Sequence, residues 1–526
     1  MKTGPQYVLL CVLVSLAVHG ISAGKVLVVP PAIEGSHWFP LASVGQALAG
    51  RGHEVTVVVS EDIVAKRRAE KPDLRFEPFY DGGSRARVEA NTGQMSNVFN
   101  KSVFSLMQIL KGVIDSLAQH CDLLLGDADL MGRLKEERFQ VVVAEPFFCQ
   151  CGAIVAAYLG VPHVALLRGD PSGLDALATG VPRPPSYVPF FSFWTGFTDK
   201  MTFLQRAKNV VVSRVAPLVF QWVVGRINYD LLRKYLGEEE TLLGVLAKTD
   251  VWLYQTDVLL DLPSPRMPNI VDVGGIVAKP AKPLSEDLEQ FMQSSGSDGV
   301  VVVSFGSQAK TISLERSEVM AAAFARLPQK VVWRYTGEKL AGLGNNTKTM
   351  SWLPQNDLLG HSKTKAFVTH TGANGMFEAL YHGVPMVCTP LGADQPGNAA
   401  RVVSRGLGVR QDFNTFTPDT LHQGIVQVLT DKSYHENAAR LSRLYHDRPQ
   451  SPMERAVWWI EHVIQHGGLP HLRARAVELP WYQYYLLDVA AFLLAVCSAI
   501  LVLIWFSCSL LCRKICLKNG GKLKSQ

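Results

Sequence analysis

The chain has 526 residues, which exceeds one ordinary hydrophobic core and predicts two globular domains with additional segments. Its net charge of +6 comes largely from five basic residues within positions 513–526, so the body is close to neutral and gives no indication of a nucleic-acid surface. Four cysteines remain when those in the N-terminal apolar run and those in or beside the C-terminal apolar run are set aside, and their spacing indicates neither a disulfide framework nor a metal site. These four are Cys121, Cys149, Cys151 and Cys388.

The N-terminus has the layout of a cleavable secretory signal. Lys2 precedes an apolar run from Tyr7 to Val18, and small residues follow as far as Ala23. This run is too short to span a bilayer. We expect a signal peptide over residues 1–23 rather than a buried first strand, because Lys25–Pro30 supplies a better strand.

Short β-branched runs alternate with longer helical stretches through both halves of the chain, which predicts α/β units with parallel sheets. In the first half, strands are predicted at Lys25–Pro30, Glu54–Ser60, Gln140–Ala144 and Val161–Leu166. In the second half, strands are predicted at Val300–Phe305, Lys330–Tyr335, Ala366–Thr369 and Val384–Pro390. The stretch Gly274–Pro283 is rich in Gly, Pro and Ala and is the predicted linker, which divides the chain into domains 24–280 and 281–450.

A histidine follows the first predicted strand. Ligands of open α/β sheets bind beyond the carboxyl ends of the strands, and His37 lies there, just before a helix predicted from about Trp38. An imidazole suits the task of a general base, although a lone loop histidine is more often structural. Glu145, at the end of the strand Gln140–Ala144, is the candidate carboxylate that would orient His37.

A glycine-bearing loop follows the predicted strand Ala366–Thr369 and opens a helix. The free amides of a helix N-terminus suit phosphates, and His370 and Asn374 would add hydrogen-bond donors. Asn374 and Glu378 are four residues apart and share one helix face, where they could hold phosphate and ribose. Taken alone, this loop fits phosphate binding and a plain tight turn equally well.

Two flanking blocks make the motif specific: Trp352–Asn356 precedes the loop, and Pro390–Pro396 follows the next strand. Together the blocks resemble the signature of the UDP-glucuronosyltransferase family. The resemblance implies two Rossmann-like domains in the GT-B fold, with the acceptor bound by the first domain and the UDP-sugar by the second. It also implies a C-terminal segment, including a helix over Met453–His466, that crosses back onto the first domain.

The resemblance assigns roles to the residues of the UDP-sugar site. It implies that Trp352 stacks on uracil, that Gln355 contacts the nucleoside and that Glu378 binds ribose. Asp394 and Gln395 would hold hydroxyls of the transferred sugar. The residues implied around the diphosphate are Ser307, His370, Gly372, Asn374 and Gly375.

The implied reaction is a single displacement that inverts the anomeric carbon, with the UDP-sugar as co-substrate and without a metal or other cofactor. Two positions depart from the family pattern. Glu145 stands where the family carries aspartate, and Gln255 stands where glucuronate-using members carry an arginine that would pair with the sugar carboxylate. We expect glucuronate transfer by family majority, with UDP-glucose, UDP-N-acetylglucosamine or a non-catalytic UDP-sugar-binding membrane protein as alternatives.

The C-terminal region predicts a membrane anchor. Val489–Cys512 holds no charge and as a helix reaches about 36 Å, enough to span a bilayer. Basic residues in 513–526 place that tail in the cytosol by the positive-inside rule, so the body is predicted to be lumenal and 451–488 to lie next to the membrane. Lys522 and Lys524 resemble an endoplasmic reticulum retrieval signal, with a generic basic flank as an equal alternative.

The expected acceptor is small and lipophilic. The aromatic stretch Pro184–Trp194 could line an acceptor cavity, touch the membrane or be a packed loop. Sequons at Asn100 and Asn345 fit a lumenal body. A homo-oligomer is a further possibility that the sequence leaves open.

Overall fold

Two parallel β-sheets form the frame of the molecule. The computed structural model describes residues 23–33, 35–95, 103–146, 150–169, 173–190, 196–306 and 312–520. The first sheet has the strand order β3-β2-β1-β4-β5-β6-β7, and the second has the order β10-β9-β8-β11-β12-β13. All neighbouring strands in both sheets pair in parallel. Each sheet therefore reverses its strand order once, between β1 and β4 in the first and between β8 and β11 in the second.

The strands are short and the central ones are rich in valine. Those of the first sheet are β1 Lys25–Val29, β2 Glu54–Ser60, β3 Arg75–Phe79, β4 Val141–Ala144, β5 His163–Arg168, β6 Val251–Gln255 and β7 Ile270–Asp272. Those of the second are β8 Val300–Ser304, β9 Lys330–Arg334, β10 Thr347–Met350, β11 Thr364–Thr369, β12 Met386–Cys388 and β13 Gly408–Arg410. Central strands such as β4 and β8 are buried along their whole length, as expected for parallel strands covered on both faces.

Helices connect the strands and cover the sheets. The helices of the first half are α1 Trp38–Gly50, α2 Glu61–Glu70, α3 Ser84–Met95, α4 Val103–Gly126, α5 Ala128–Glu136, α6 Cys151–Leu159, α7 Leu174–Thr179, α8 Phe203–Leu236 and α9 Leu242–Ala247. Those that follow are α10 Glu286–Gln293, α11 Leu314–Phe324, α12 Gln355–Leu359, α13 Ala373–His382, α14 Gln395–Ser404, α15 Pro418–Thr430, α16 Lys432–His446, α17 Pro452–His466, α18 Trp481–Tyr484 and α19 Leu487–Gly520.

The eight predicted strands are all present, with ends shifted by a few residues. Five further strands escaped prediction: β3, β6, β7, β10 and β13. Four of them lie at sheet edges, where one side needs no strand partner: β3 contains Pro78, β10 is mostly polar, and β7 and β13 have only three residues each. The predicted domain boundary near residue 280 falls between β7 and β8.

Apolar side chains fill both faces of each sheet, which gives four buried clusters. One cluster of the first sheet contains residues from the far C-terminal part of the body. Val457, Ile460 and Val463 of α17 pack with Val26 and Leu253 of the first sheet. The chain therefore returns from the second sheet to the first before it leaves the body.

One disulfide joins two helices of the first half. Cys121 of α4 bonds to Cys151 of α6, with their Cα atoms 5.5 Å apart. This bridge was not predicted, because its partners are 30 residues apart and meet only when the two helices pack. Cys388 is buried as a thiol.

Residues after Ala474 form a unit of their own, separate from the body that ends at Arg473. In this unit α19 holds the predicted membrane span, and its segment Leu487–Ile515 is long and apolar enough to cross a bilayer. Within the described residues a second helix, α8, meets the same criterion of length and composition. The predicted signal peptide, Asn100 and the lysines at 522 and 524 lie outside the described residues.

Candidate active site

The first-half candidates meet at the point where the strand order reverses. His37 ends the loop after β1, and Glu145 directly follows β4, the neighbour of β1 in the sheet. Because the carboxyl ends of parallel strands share one edge, the two side chains converge there. His37 Nδ1 lies 2.7 Å from Glu145 Oε1, and both residues are buried. The structure thus brings the predicted pair together despite the longer side chain of glutamate.

The partner at Nδ1 fixes the state of the imidazole. A carboxylate accepts a hydrogen bond from Nδ1–H, so the lone pair of the neutral ring lies on Nε2. Burial lowers the pKa of His37, and the charge of Arg168 lowers it further, while Glu145 opposes both effects. His37 is therefore neutral at pH 7, the state that a general base requires.

Arg168 is a residue of this site that the sequence did not reveal. It is the last residue of β5, and the predicted strand stopped two residues earlier at Leu166. Its Nη1 donates to Ser36 Oγ at 2.8 Å, and its Nη2 contacts both ring nitrogens of His37. Its Nε lies 3.8 Å from Glu145 Oε1. In the sequence, the feature that could have identified Arg168 was a positively charged residue directly after an apolar strand, at the edge of the sheet where ligands bind.

The second-half loop lies at the reversal point of the other sheet, between β8 and β11. Thr371 has a φ of 64°, and the extended backbone of Gly372 then caps α13, which begins at Ala373. A Cβ on Gly372 would lie 2.6 Å from His370 Nε2, so the close approach of loop and ring requires glycine here. Ser307, the predicted phosphate residue after β8, lies outside the described residues.

Burial lowers the pKa of His370 to about 4. His370 is therefore neutral at pH 7 in the ligand-free protein. In this state its imidazole can donate a hydrogen bond to a diphosphate without adding a full charge.

Four predicted residues lie close together in and beside α13: Gln355, Asn374, Gly375 and Glu378. Gln355 Nε2 donates to Glu378 Oε2 at 2.5 Å, and Gly375 lies next to Gln355, where a Cβ would approach Nε2 to 3.1 Å. Burial raises the pKa of Glu378 to about 7, although the hydrogen bond from Gln355 lowers it. Asn374 Oδ1 is buried without a hydrogen-bond partner among the described residues. Such an unsatisfied polar atom is typical of a ligand site.

The ring of Trp352 lies between the two halves. It is 59% exposed, which excludes a core role, and the Arg334 guanidinium lies 4.6 Å above its centroid. Phe39 of α1 meets it edge-on, with ring centroids 6.4 Å apart. Trp352 thus offers an open aromatic surface at the cleft, which suits stacking on a base.

Asp394 and Gln395 lie in the loop that begins α14. Gln395 Oε1 accepts from the backbone N–H groups of Leu391 at 2.7 Å and Gly392 at 3.1 Å, so its amide NH₂ remains for a ligand. Asp394 Oδ2 accepts from Asn398 at 2.8 Å. The charge of Asp394 raises the pKa of both His37 and His370, which shows that it lies near both. The two candidate sites therefore face one cleft.

Comparison with known proteins gives the family. A family model described as UDP-glucoronosyl and UDP-glucosyl transferase matches residues 24–523. The chain belongs to this transferase family. It is 39% identical to UDP-glucuronosyltransferase 2C1 of Oryctolagus cuniculus, over 94% of this chain and all of the relative. It is also 39% identical to UDP-glucuronosyltransferase 2A2 of Homo sapiens, over 96% of this chain and 95% of the relative.

Solved structures of other glycosyltransferases share the fold of this transferase. Spinosyn forosaminyltransferase SpnP aligns with a TM-score of 0.59 at 22% identity, covering 84% of this chain and all of that chain. Os79 from O. sativa, solved in complex with U2F and trichothecene, aligns with a TM-score of 0.58 at 17% identity over the same shares. The predicted GT-B arrangement of two α/β halves and the glycosyltransferase class are thus confirmed.

Gln255 of this transferase is the last residue of β6 and pairs in register with Arg168 of β5. It is 3% exposed, and its Oε1 has no hydrogen-bond partner in the part of the chain that the structure describes. At the position where the resemblance implies an arginine, this chain therefore has a buried neutral amide. The positive charge lies instead on Arg168, the register partner of Gln255 on β5.

The described residues contain no group of three or more His, Cys, Asp or Glu side chains that could hold a metal ion. The catalytic and UDP-sugar-binding roles of these residues remain predictions, which the distances between their side chains and their burial support.

Proposed function

We propose that this transferase moves glucuronic acid from UDP-glucuronate to a hydroxyl group of a small lipophilic acceptor, with inversion at the anomeric carbon. The observation that carries the proposal is the buried His37–Glu145 pair, joined at 2.7 Å and facing a cleft that also holds Asp394 of the second half. In this proposal residues 24–280 bind the acceptor and residues 281–450 bind the UDP-sugar.

The second half supplies a place for each part of the nucleotide. Uracil stacks on the exposed ring of Trp352, and the ribose hydroxyls bind Glu378 beside Gln355. The diphosphate lies at the N-terminus of α13, where backbone N–H groups and the side chains of His370 and Asn374 stabilise its charge. Because these groups stabilise the leaving diphosphate, the proposal includes no metal ion or other cofactor.

The first half supplies the base. As the acceptor oxygen forms its bond to the anomeric carbon, its proton passes to His37 Nε2, and the bond from that carbon to the UDP oxygen breaks with its electron pair leaving on UDP. Glu145 accepts from Nδ1–H and stabilises the imidazolium that forms. Attack from the face opposite UDP inverts the anomeric centre.

A small cavity that reaches Trp38, the residue after His37, has a mostly apolar wall. It lies beyond the carboxyl ends of β1 and β2, and apolar side chains such as Ile33, Val59 and Phe79 form most of its wall. Arg67, Arg85 and His120 are among the polar residues that line it. Such a wall favours a lipophilic molecule that presents one hydroxyl group to the base.

Replacement of His37 tests the proposal. We expect His37→Ala to lower turnover of a phenol with UDP-glucuronate by roughly two to four orders of magnitude and to leave UDP binding unchanged. His471→Ala, at an exposed position, is the matched control and should retain full activity. Full turnover by the His37→Ala protein would overturn the proposed role of the base.

The neutral side chain of Gln255 favours a neutral transferred sugar, glucose or N-acetylglucosamine, as the second candidate. Glutamine lacks the charge that would pair with the carboxylate of glucuronate. Parallel assays with UDP-glucuronate, UDP-glucose and UDP-N-acetylglucosamine distinguish these donors. Turnover with UDP-glucose and none with UDP-glucuronate would overturn the choice of sugar. UDP binding without turnover of any of the three would instead indicate a non-catalytic binding protein.

We also propose that the protein is a single-span type I protein of the endoplasmic reticulum membrane with a lumenal body. The apolar segment Leu487–Ile515, the disulfide Cys121–Cys151 and the exposed sequon residue Asn345 support this topology. Sensitivity of the Asn345 glycan to endoglycosidase H, lost in Asn345→Gln, is the expected result. A body that protease digests in sealed microsomes would contradict it.

A further inference from the structure

Arg168 lies at the reaction centre in a position that the proposed chemistry does not yet use. It ends β5, and its guanidinium touches Ser36 and His37 and approaches Glu145. Its side chain is 17% exposed. Burial of this charge destabilises the protein unless the guanidinium is well paired, so its partners need to be identified.

The contacts of Arg168 in the ligand-free protein satisfy it poorly. Glu145 is 3.8 Å from Nε, beyond hydrogen-bond distance, and Ser36 is a neutral acceptor. Nε is buried and has no hydrogen-bond partner among the residues described. In the neighbouring register position Gln255 Oε1 is likewise buried without a partner. Two unsatisfied polar groups at the ends of adjacent strands indicate a polar ligand group between the strand ends and the cleft.

The contact with His37 places the charge of Arg168 beside the base. Nη2 of Arg168 lies against both ring nitrogens of His37, including Nε2, the nitrogen that has to accept the proton of the acceptor. The guanidinium therefore lies where the transferred sugar has to meet the base.

We propose that Arg168 binds the carboxylate of the transferred sugar and thereby selects an acidic UDP-sugar. The inference rests on the proposed transfer of glucuronate. A guanidinium pairs with both oxygens of a carboxylate at once, which a hydroxymethyl group cannot match. Asp394, placed for the sugar hydroxyls, acts electrostatically on His37, so a sugar held there lies close to Arg168.

The proposal explains how the site accepts an acid sugar with glutamine at position 255. Arg168 and Gln255 are register partners on neighbouring parallel strands, whose axes lie about 4.8 Å apart, and paired positions project from the same face. Arg168 on β5 can therefore pair with the sugar carboxylate in place of an arginine on β6.

Arg168→Gln and Arg168→Lys in the full-length protein test the inference, with kcat and KM measured for UDP-glucuronate and UDP-glucose. We expect Arg168→Gln to lower kcat/KM for UDP-glucuronate roughly 10- to 100-fold and that for UDP-glucose less than about threefold. Arg168→Lys keeps the charge without the fork and should lose less. Arg326→Gln, which removes a surface arginine, is the matched control and should leave kcat/KM unchanged for both UDP-sugars.

A swap variant and a pH profile separate selection from a structural role. Arg168→Gln with Gln255→Arg should recover much of the activity with UDP-glucuronate. In Arg168→Gln alone, the acid limb of kcat/KM should move to higher pH, because the charge of Arg168 lowers the pKa of His37. The inhibition constant of UDP, which lacks the transferred sugar, should stay constant and shows that the variant is folded.

Equal losses for the two sugars, or no loss with UDP-glucuronate, would overturn the inference while the proposed function stands. A wild-type protein that turns over UDP-glucose and not UDP-glucuronate would overturn both the proposed donor and this inference.

Discussion

At the residue scale, burial sets the protonation state of the side chains that face the cleft. His37 and His370 both have a lowered pKa, and each is neutral at pH 7 without ligand. Glu378 is shifted in the opposite direction, to a pKa of about 7, because burial penalises its charged form. Burial therefore keeps His37 neutral as a base and His370 neutral as a hydrogen-bond donor. It also makes the Glu378 carboxyl titrate near neutral pH.

The pKa of Glu378 predicts a pH dependence of UDP binding. The carboxylate accepts from ribose hydroxyls better than the acid does, so UDP binds the ionised form more tightly. We expect UDP affinity to rise as the pH increases from 6 to 8 through the pKa of about 7 and to level off above it. Calorimetric titration at several pH values measures this slope.

Glu378→Gln is the control for this titration. It keeps the shape of the side chain and removes its charge, so the affinity for UDP should be lower and nearly independent of pH. An equally steep slope in this variant would assign the titration to another group.

At the element scale, the N-terminus of α13 depends on a close approach between backbone and side chain. Thr371 has a positive φ, and Gly372 leaves no room for a Cβ beside His370. This geometry aims the first amides of the helix at the cleft. Residues 395–404 of α14 open onto the same cleft, where Gln395 fixes its own loop through Oε1.

Gly372→Ala tests the role of this helix terminus. The added Cβ would lie 2.6 Å from His370 Nε2 and displace the ring, so we expect UDP affinity to fall roughly tenfold, the value of one hydrogen bond to a charged group. Fluorescence or calorimetric titration with UDP measures the change. Gly132→Ala in α5, where a Cβ meets no atom within 4 Å, is the matched control and should bind UDP normally. Equal affinities of the two variants would contradict this role.

At the scale of the whole molecule, the C-terminal part of the body ties the second sheet back to the first. Glu461 of α17 accepts from Arg51 at 3.0 Å and lies 3.3 Å from His53, and Arg473 donates to Asp250 at 2.7 Å. The buried face of α17 completes the apolar cluster of the first sheet. The first sheet therefore depends on residues nearly 200 positions away from its last strand.

Ile460→Ala tests this dependence. Ile460 is fully buried, and its truncation should lower the free energy of unfolding by about 2–5 kcal/mol through the lost apolar contact and the cavity left behind. Denaturant unfolding followed by tryptophan fluorescence measures the loss. Leu444→Ala, at a position that is 45% exposed, is the matched control and should cost much less. Similar losses in the two variants would show that α17 does not stabilise the first sheet.

The α/β class, eight of the nine inner strands and the spacing of the UDP-sugar motif from Trp352 to Gln395 followed from sequence alone, because the valine-rich runs and the motif residues each lie within short stretches of chain. The sequence also placed His37 and Glu145 at strand ends. It did not reveal the inner strand β6, the four edge strands, which are short, polar or interrupted by proline, or the disulfide Cys121–Cys151.

Only the tertiary structure decided which side chains meet. Arg168 gave no signal as the neighbour of His37, because their contact spans 131 residues and depends on the parallel order of β1, β4 and β5. The protonation states of His37 and Glu378 were equally hidden, since they follow from burial that only the packed sheets and helices create.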